Sequence, residues 1–158
     1  MDTTEGALLR ALALALLRKL CGFTQHQTAA MKVNQMRAIP SVLVIDDNFA
    51  ALKALTSLMS ALGAESVSEA ESAEEALQLV GKQRFDLIVS DYRLEGMNGV
   101  EFLEKVRAQG NQTPILLLSG APDKAGVIRA TQQTRADFFT KPFKIVELTD
   151  AMDRLLAA

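Results

Sequence analysis

Short apolar runs alternate with longer stretches whose apolar residues recur at helical spacing, from about residue 41 to residue 156. A short run of β-branched and apolar residues favours a strand that is covered on both faces. The predicted strands cover residues 41–45, 65–70, 85–91, 115–118 and 136–140. The predicted helices cover about 48–62, 72–83, 100–109, 124–133 and 145–156. This alternation predicts an α/β domain with one parallel sheet, helices on both faces and right-handed crossovers.

Four of these strands end on side chains that can carry chemistry. Asp46-Asp47 follows the first strand, Asp91 ends the third, Ser119 ends the fourth and Lys141 follows the fifth. In sheets of this kind, ligands bind at the carboxyl ends of the strands, where the strand order reverses. We therefore expect these five residues to lie close together and to form one site.

The composition of this site predicts phosphoryl chemistry. Three neighbouring carboxylates raise one another's pKa unless a cation joins them, and oxygen ligands on a small rigid site favour Mg²⁺. A hydroxyl and an ammonium can bind the remaining oxygens of a phosphoryl group, and a carboxylate can accept one. Each residue alone has a simpler interpretation, because acids after strands often cap helices and Ser-Gly or Lys-Pro often forms a loop.

Charge is spread unevenly over the 158 residues. Residues 1–38 hold five basic and two acidic residues, which leaves 12 basic and 17 acidic residues for the remainder. An acidic domain argues against nucleic-acid binding, which needs clustered Lys and Arg. Cys21 is the single cysteine, so no intrachain disulfide forms and no oxidising compartment is indicated.

The composition divides the chain into an N-terminal extension, residues 1–38, and a domain, residues 39–158. Within the extension, residues 6–20 predict an amphipathic helix and residues 24–38 a polar linker. The apolar stripe of that helix consists of Leu9, Leu12, Leu16 and Leu20. The segment is too short and too charged to span a bilayer, and it is a poor signal peptide. Two interpretations stay open: an interaction helix that docks on a partner, another copy or a membrane surface, and a loosely ordered tail or upstream sequence.

From Ser41 onward the chain resembles the receiver domain of two-component response regulators. Asp46-Asp47, Asp91, Ser119 and the Lys-Pro-Phe sequence at 141–143 match its acidic pair, phosphoacceptor, hydroxyl and lysine, and residues 91–99 resemble the loop that follows the acceptor. The resemblance implies a flavodoxin-like, doubly wound, five-stranded parallel sheet in the order 2-1-3-4-5 with five flanking helices.

The resemblance also implies roles for the acids. Asp91 would accept a phosphoryl group from a histidine kinase or a phosphotransfer protein. Mg²⁺ would be bound directly by Asp47, by Asp91 and by the backbone carbonyl of Arg93, and through water by Asp46.

Further implied roles concern the switch. Ser119 would move to hold the phosphoryl group, and Lys141 would pair with it, fixed by a cis bond before Pro142. Phe139 would turn inward as Ser119 moves and would remodel the face formed by the fourth helix and the fifth strand. The alternative for Phe139 is ordinary core packing.

Three positions would affect the loop after the acceptor or the surroundings of the phosphoryl group. Glu95 stands where the family often has proline, so we expect a more mobile loop. Arg93 and Ala121 would flank the phosphoryl group. Their effects oppose each other, because a long cation can shield or pair with the acyl phosphate and a small residue leaves room for water.

The function implied is that of a stand-alone, cytoplasmic signalling switch. No output domain follows the last predicted helix, so the switch would act by binding a downstream protein, and the only enzymatic role would be in its own phosphorylation and dephosphorylation. It could form a homodimer through residues 6–20 or through the face of the fourth helix, fifth strand and fifth helix. We expect no nucleic-acid partner and no transmembrane segment. His26 lies in the linker and is a poor phosphodonor candidate.

Other functions stay open. The chain could be a phosphorelay shuttle or a receiver from a larger hybrid kinase. It could also be a phosphorylation-independent adaptor with a vestigial site. A phosphatase of the haloacid dehalogenase type uses similar groups but needs Asp-x-Asp after the first strand, where this chain has Asp46-Asp47-Asn48.

Overall fold

The computed structural model describes residues 38–120, 124–132 and 135–157. The predicted helix at 6–20 and nearly all of the linker that follows it lie outside this part of the chain. The predicted boundary between extension and domain, at residue 38, lies at its edge. The same holds for Cys21, His26 and Ala121.

The described residues form one parallel sheet flanked by helices. The strands are β1 (Ile39–Ile45), β2 (Ala64–Ala70), β3 (Leu87–Asp91), β4 (Ile115–Ser119) and β5 (Ala136–Thr140). The helices are α1 (Phe49–Ala61), α2 (Ala73–Lys82), α3 (Gly99–Ala108), α4 (Lys124–Thr131) and α5 (Ile145–Ala157). All strand pairs are parallel, in the order β2-β1-β3-β4-β5. The flavodoxin-like fold and its strand order are therefore confirmed.

The core consists of two apolar layers, because successive side chains of a strand point to opposite faces of the sheet. The strand residues of the α2–α3 layer, which packs under helices α2 and α3, include Leu43, Ile45, Ile88, Ile115 and Leu117. Those of the α1–α5 layer, which packs under helices α1 and α5, include Val42, Val44, Val89, Leu116 and Leu118. All ten are fully buried, which explains why the strands are continuous apolar runs.

Helix starts next to the strand ends are fixed by local hydrogen bonds. Asn48 caps α1 directly after the acidic pair, with its side chain accepting from the N–H of Ala51 at 3.0 Å. Asn98 caps α3 in a capping box with Glu101. The next residue, Gly99, packs so tightly that a Cβ there would lie 3.0 Å from the carbonyl oxygen of Asp91. These contacts hold α1 and α3 close to the ends of β1 and β3.

Candidate functional site

The five residues predicted at strand ends, Asp46, Asp47, Asp91, Ser119 and Lys141, lie at the carboxyl ends of β1, β3, β4 and β5. Lys141 lies just after β5, and its Nζ is 2.7 Å from Oδ1 of Asp91 at the end of β3. The same Nζ is 3.8 Å from Oδ2 of Asp46, which follows β1. One ammonium thus bridges two acids that are 45 residues apart in the chain.

Asp46 is the buried acid of the site, with a side chain only 4% exposed. Its Oδ1 accepts from the N–H of Asn48 at 2.9 Å, whereas Oδ2 has no hydrogen-bond partner in the described part of the chain. Burial raises the pKa of Asp46 above its usual value, and the charge of Asp91 adds to this effect, while the Asn48 N–H and Lys141 oppose it. The ionised form of Asp46 is therefore less stable in the folded protein than it would be in water.

Asp47 and Asp91 accept hydrogen bonds from the loop that follows β3. Oδ2 of Asp91 accepts from the N–H of Arg93 at 3.0 Å, and Oδ2 of Asp47 accepts from the N–H of Glu95 at 3.2 Å. Asp47 is exposed, unlike its neighbour Asp46. The loop is thus tied to both acids by its own backbone.

The base of this loop is also closed. Arg93 and Asn98 form an isolated antiparallel bridge, and the N–H of Gly99 donates to the carbonyl of Tyr92 at 2.7 Å. Together with the bond from Glu95, these contacts hold the two ends of the loop, and the greater mobility expected from the replacement of proline stays a prediction.

The donor set fits Mg²⁺, although the described residues contain no group of three or more His, Cys, Asp or Glu side chains arranged to hold a metal. Mg²⁺ is usually bound through one or two carboxylates, with waters and phosphate oxygens filling the rest of its shell. Asp47 and Asp91 are two such carboxylates beside one loop. The buried Oδ2 of Asp46, which lacks a donor, is suited to accept from a metal-bound water.

Ser119 and Lys141 are joined through the backbone. The N–H of Lys141 donates to the carbonyl of Ser119 at 2.7 Å, and the peptide bond between Lys141 and Pro142 is cis. Ser119 is 1% exposed and pairs in register with Thr140 of β5. The hydroxyl-bearing residue and the lysine therefore end neighbouring strands, as predicted from their positions in the sequence.

The assignment of the switch aromatic to Phe139 needs correction. Phe139 pairs with Leu118 and packs against the α1–α5 layer. Ser119 follows Leu118 and so faces the other layer. Phe139 therefore cannot take space that Ser119 leaves, and the structure favours its alternative interpretation as core packing.

Phe138 is the aromatic that shares the face of Ser119, and sequence reasoning missed it. It packs against the α2–α3 layer, and its ring contacts that of Tyr92 edge to face, with centroids 5.7 Å apart. Tyr92 follows Asp91 directly. No signal in the sequence separates Phe138 from Phe139, because the pairing of Ser119 with Thr140, two residues after Phe138, is set by the register of β5 against β4.

The family comparison agrees with this geometry. Residues 42–153 match the model of the response regulator receiver domain. The chain belongs to the response regulator receiver family. This membership supports a phosphoryl-accepting signalling protein, because the matched region includes every proposed site residue.

Curated relatives of this receiver are response regulators. It is 35% identical over 115 residues to FleR of Pseudomonas aeruginosa, covering 72% of this chain and 24% of FleR. It is 33% identical over 111 residues to TodT of Pseudomonas putida, covering 70% of this chain and 48% of TodT. The chemotaxis protein CheY-3 of Vibrio cholerae is 27% identical over 116 residues, with coverage of 72% and 89%. The receiver thus spans less than half the length of FleR or TodT.

Solved receiver structures have the same fold. The receiver domain of Francisella response regulator 1452 is 29% identical with a TM-score of 0.66, covering 75% of this chain and 97% of that one. The Vibrio cholerae chemotaxis protein CheY4 is 30% identical with a TM-score of 0.66, with coverage of 75% and 100%. Among the described helices, none has the length and apolar character that crossing a bilayer requires.

Proposed function

We propose that this receiver is a phosphorylation-dependent switch that accepts a phosphoryl group on Asp91. The donor is a histidine kinase or a phosphotransfer protein, and the phosphorylated domain, residues 39–158, binds a downstream protein in the cytoplasm. The observation that carries the proposal is the contact of Lys141 with both Asp91 and Asp46 at the strand ends. An ion pair with a purely structural role needs one acid and one base. Here a lysine is shared by two acids at the strand ends, and this arrangement suits phosphoryl transfer better.

Asp91 acts as the nucleophile in this reaction. One of its oxygens forms a bond to phosphorus, and the donor's phosphorus–nitrogen or phosphorus–oxygen bond breaks. Lys141 offsets the negative charge that accumulates on the phosphoryl oxygens. Ser119, at the end of the neighbouring strand, supplies a hydroxyl for one of those oxygens.

Asp47, Asp91 and the backbone carbonyl of Arg93 would hold Mg²⁺, with Asp46 accepting from a bound water. When bound, the metal supplies positive charge that offsets the acids and the incoming phosphoryl group. Arg93 lies two residues after Asp91, and Ala121 lies two residues after Ser119. Both would flank the phosphoryl group and would modulate the lifetime of the acyl phosphate.

Phe138 would transmit the change to the surface. It lies on the face of Ser119 and contacts Tyr92, next to Asp91, so a shift of Ser119 changes the packing around its ring. The surface formed by α4, β5 and α5 is then the region that a target or a second copy would bind.

Incubation with acetyl phosphate and Mg²⁺, followed by intact mass spectrometry, tests the acceptor. We expect one added phosphoryl group on the wild type, none on Asp91→Asn, and strongly reduced labelling in EDTA. Asp86→Asn is a matched control, because Asp86 lies at the opposite end of β3 and binds the N–H of Ser41. It should be labelled like the wild type.

Two results would point elsewhere. A wild type that gains no mass from acetyl phosphate or from a panel of histidine kinases would favour the phosphorylation-independent adaptor. Sustained hydrolysis of p-nitrophenyl phosphate, with many turnovers per protein, would favour a phosphatase.

A further inference from the structure

We propose that a cleft at the amino ends of β3 and β4 binds a small anion with two or more phosphate or carboxylate groups. The cleft lies between the loop after α2, residues 82–86, and the loop after α3, residues 109–114. Its volume is about 680 Å³, a size that suits a small molecule. Asp91 lies at the other end of β3, so this site is separate from the phosphoacceptor.

Hydrogen bonds join the two loops and fix the shape of the cleft. Thr113 Oγ1 donates to the carbonyl of Phe85 at 3.2 Å, and the N–H of Thr113 donates to Oδ1 of Asn111 at 2.9 Å. Nη1 of Arg107 donates to the carbonyl of Asn111 at 2.9 Å, and its Nη2 donates to the carbonyl of Arg135 at 3.3 Å. The cleft is therefore largely formed before a ligand binds, which lowers the ordering cost of binding.

The cleft carries positive charge in an otherwise acidic domain. Lys82, Arg84 and Arg135 line it, and none of the three forms an ion pair with a carboxylate of the described residues. Among the described residues that line it, Asp86 is the only acid, and its Oδ2 accepts from the N–H of Ser41 at 3.0 Å. Three bases against one acid favour a ligand with more than one negative charge.

The ends of helices explain only part of this charge. Lys82 lies in the last turn of α2, and Nη2 of Arg135 donates to the carbonyl of Leu155 near the end of α5 at 3.2 Å. Cations at such positions stabilise the carbonyl ends of helices. Arg84 lies beyond Gln83, the C-cap of α2, and its exposed side chain makes no hydrogen bond or ion pair with the described residues. The guanidinium of Arg84 is therefore available to a ligand.

Two arginines repel each other beside the cleft. Burial lowers the pKa of Arg107 below its usual value, and the charge of Arg135 adds to this effect. Nε of Arg135 is buried and has no hydrogen-bond partner among the described residues. An anion in the cleft would offset this concentration of positive charge. Guanidinium groups match the geometry of phosphate and carboxylate oxygens, so we expect the ligand to carry these groups.

Titration of the full chain with sodium pyrophosphate in EDTA, followed by isothermal calorimetry, tests the inference. Citrate replaces pyrophosphate in a second titration, so the stronger ligand distinguishes phosphate from carboxylate chemistry. We expect the wild type to bind at least one of the two anions, and Arg84→Gln to bind it about 10-fold more weakly. Lys105→Gln is the matched control, because Lys105 is an exposed residue of α3 that does not line the cleft. It should bind like the wild type.

The position of the bound anion is measured by amide chemical shifts. We expect changes at Gly110 and Gln112, which line the cleft, and none at Asp91. Changes confined to Asp91 and its neighbours would overturn the inference, because the anion would then bind at the phosphoacceptor. A wild type that binds neither anion would also overturn it.

The two variants provide a further check. Both residues are exposed, so neither substitution should affect folding. Undiminished binding by Arg84→Gln would contradict the proposed site. Equal weakening by Arg84→Gln and Lys105→Gln would contradict it as well, since the total charge of the protein alone would then decide the affinity.

Discussion

Lys141 Nζ lies 2.7 Å from Oδ1 of Asp91 and 3.8 Å from Oδ2 of Asp46, so one ammonium connects the ends of β5, β3 and β1. Its side chain is one-third exposed and that of Asp91 is 14% exposed. The Asp91 carboxylate is therefore held by a cation and keeps a small part of its surface accessible to solvent.

Lys141→Met should slow labelling by acetyl phosphate on the order of 100-fold, because it removes the cation that offsets charge on the transferring group. The rate is measured by intact mass at fixed Mg²⁺. Lys144→Met is the matched control, since Lys144 is exposed and pairs with Glu147 at 3.7 Å. If both variants are labelled at the wild-type rate, Lys141 has no part in the transfer.

Asp46→Asn should increase the free energy of unfolding by about 1 kcal/mol at neutral pH. A gain of this size is typical when a destabilising group at a functional site, here a buried charge, is removed. The asparagine oxygen can still accept from Asn48, and the burial cost of the charge disappears. Urea unfolding in EDTA measures the change. Asp47→Asn, at the exposed neighbour, should change stability by no more than about 0.5 kcal/mol. Unchanged or reduced stability of Asp46→Asn would show that its charge is well compensated.

Tyr92 emission should report on the proposed switch, because Tyr92 is the single tyrosine in a chain without tryptophan. Acetyl phosphate with Mg²⁺ should change this emission in the wild type. Phe138→Leu should lose most of the change, since it removes the ring in contact with Tyr92, whereas Phe139→Leu should retain it. Both residues are half-buried, so similar losses of stability are expected. The opposite ranking of the two variants would restore Phe139 as the switch residue.

Gly99→Ala should lower the free energy of unfolding by about 1–3 kcal/mol, the usual cost of overpacking. Its Cβ would lie 2.9 Å from a methyl of Leu117 and 3.1 Å from Cα of Tyr92. Gly81→Ala is the control, because Gly81 lies within α2 and a Cβ there meets nothing within 4 Å. It should stabilise the protein by about 0.5–1 kcal/mol. Urea unfolding of both variants measures the contrast, and equal effects would contradict the tight packing at Gly99.

The sequence alone determined the fold and the membership of the site. The apolar runs at β1, β3 and β4 are continuous because both faces of these strands are buried, so their pattern is easily recognised. Asp91, Ser119 and Lys141 follow from the same pattern, since each stands where a strand ends. Parallel strands bring these ends to one edge of the sheet whatever the details of packing are.

Only the tertiary structure decided which distant residues are in contact and which of two adjacent, chemically similar residues faces the site. Phe138 and Phe139 are chemically identical, and the register of β5 against β4 alone decides which of them shares the face of Ser119. The bond from Glu95 to Asp47 is made by a backbone N–H, which has no signature in the sequence. Sequence patterns identify which side chains are buried, but the direction of a single side chain or donor depends on how the elements pack.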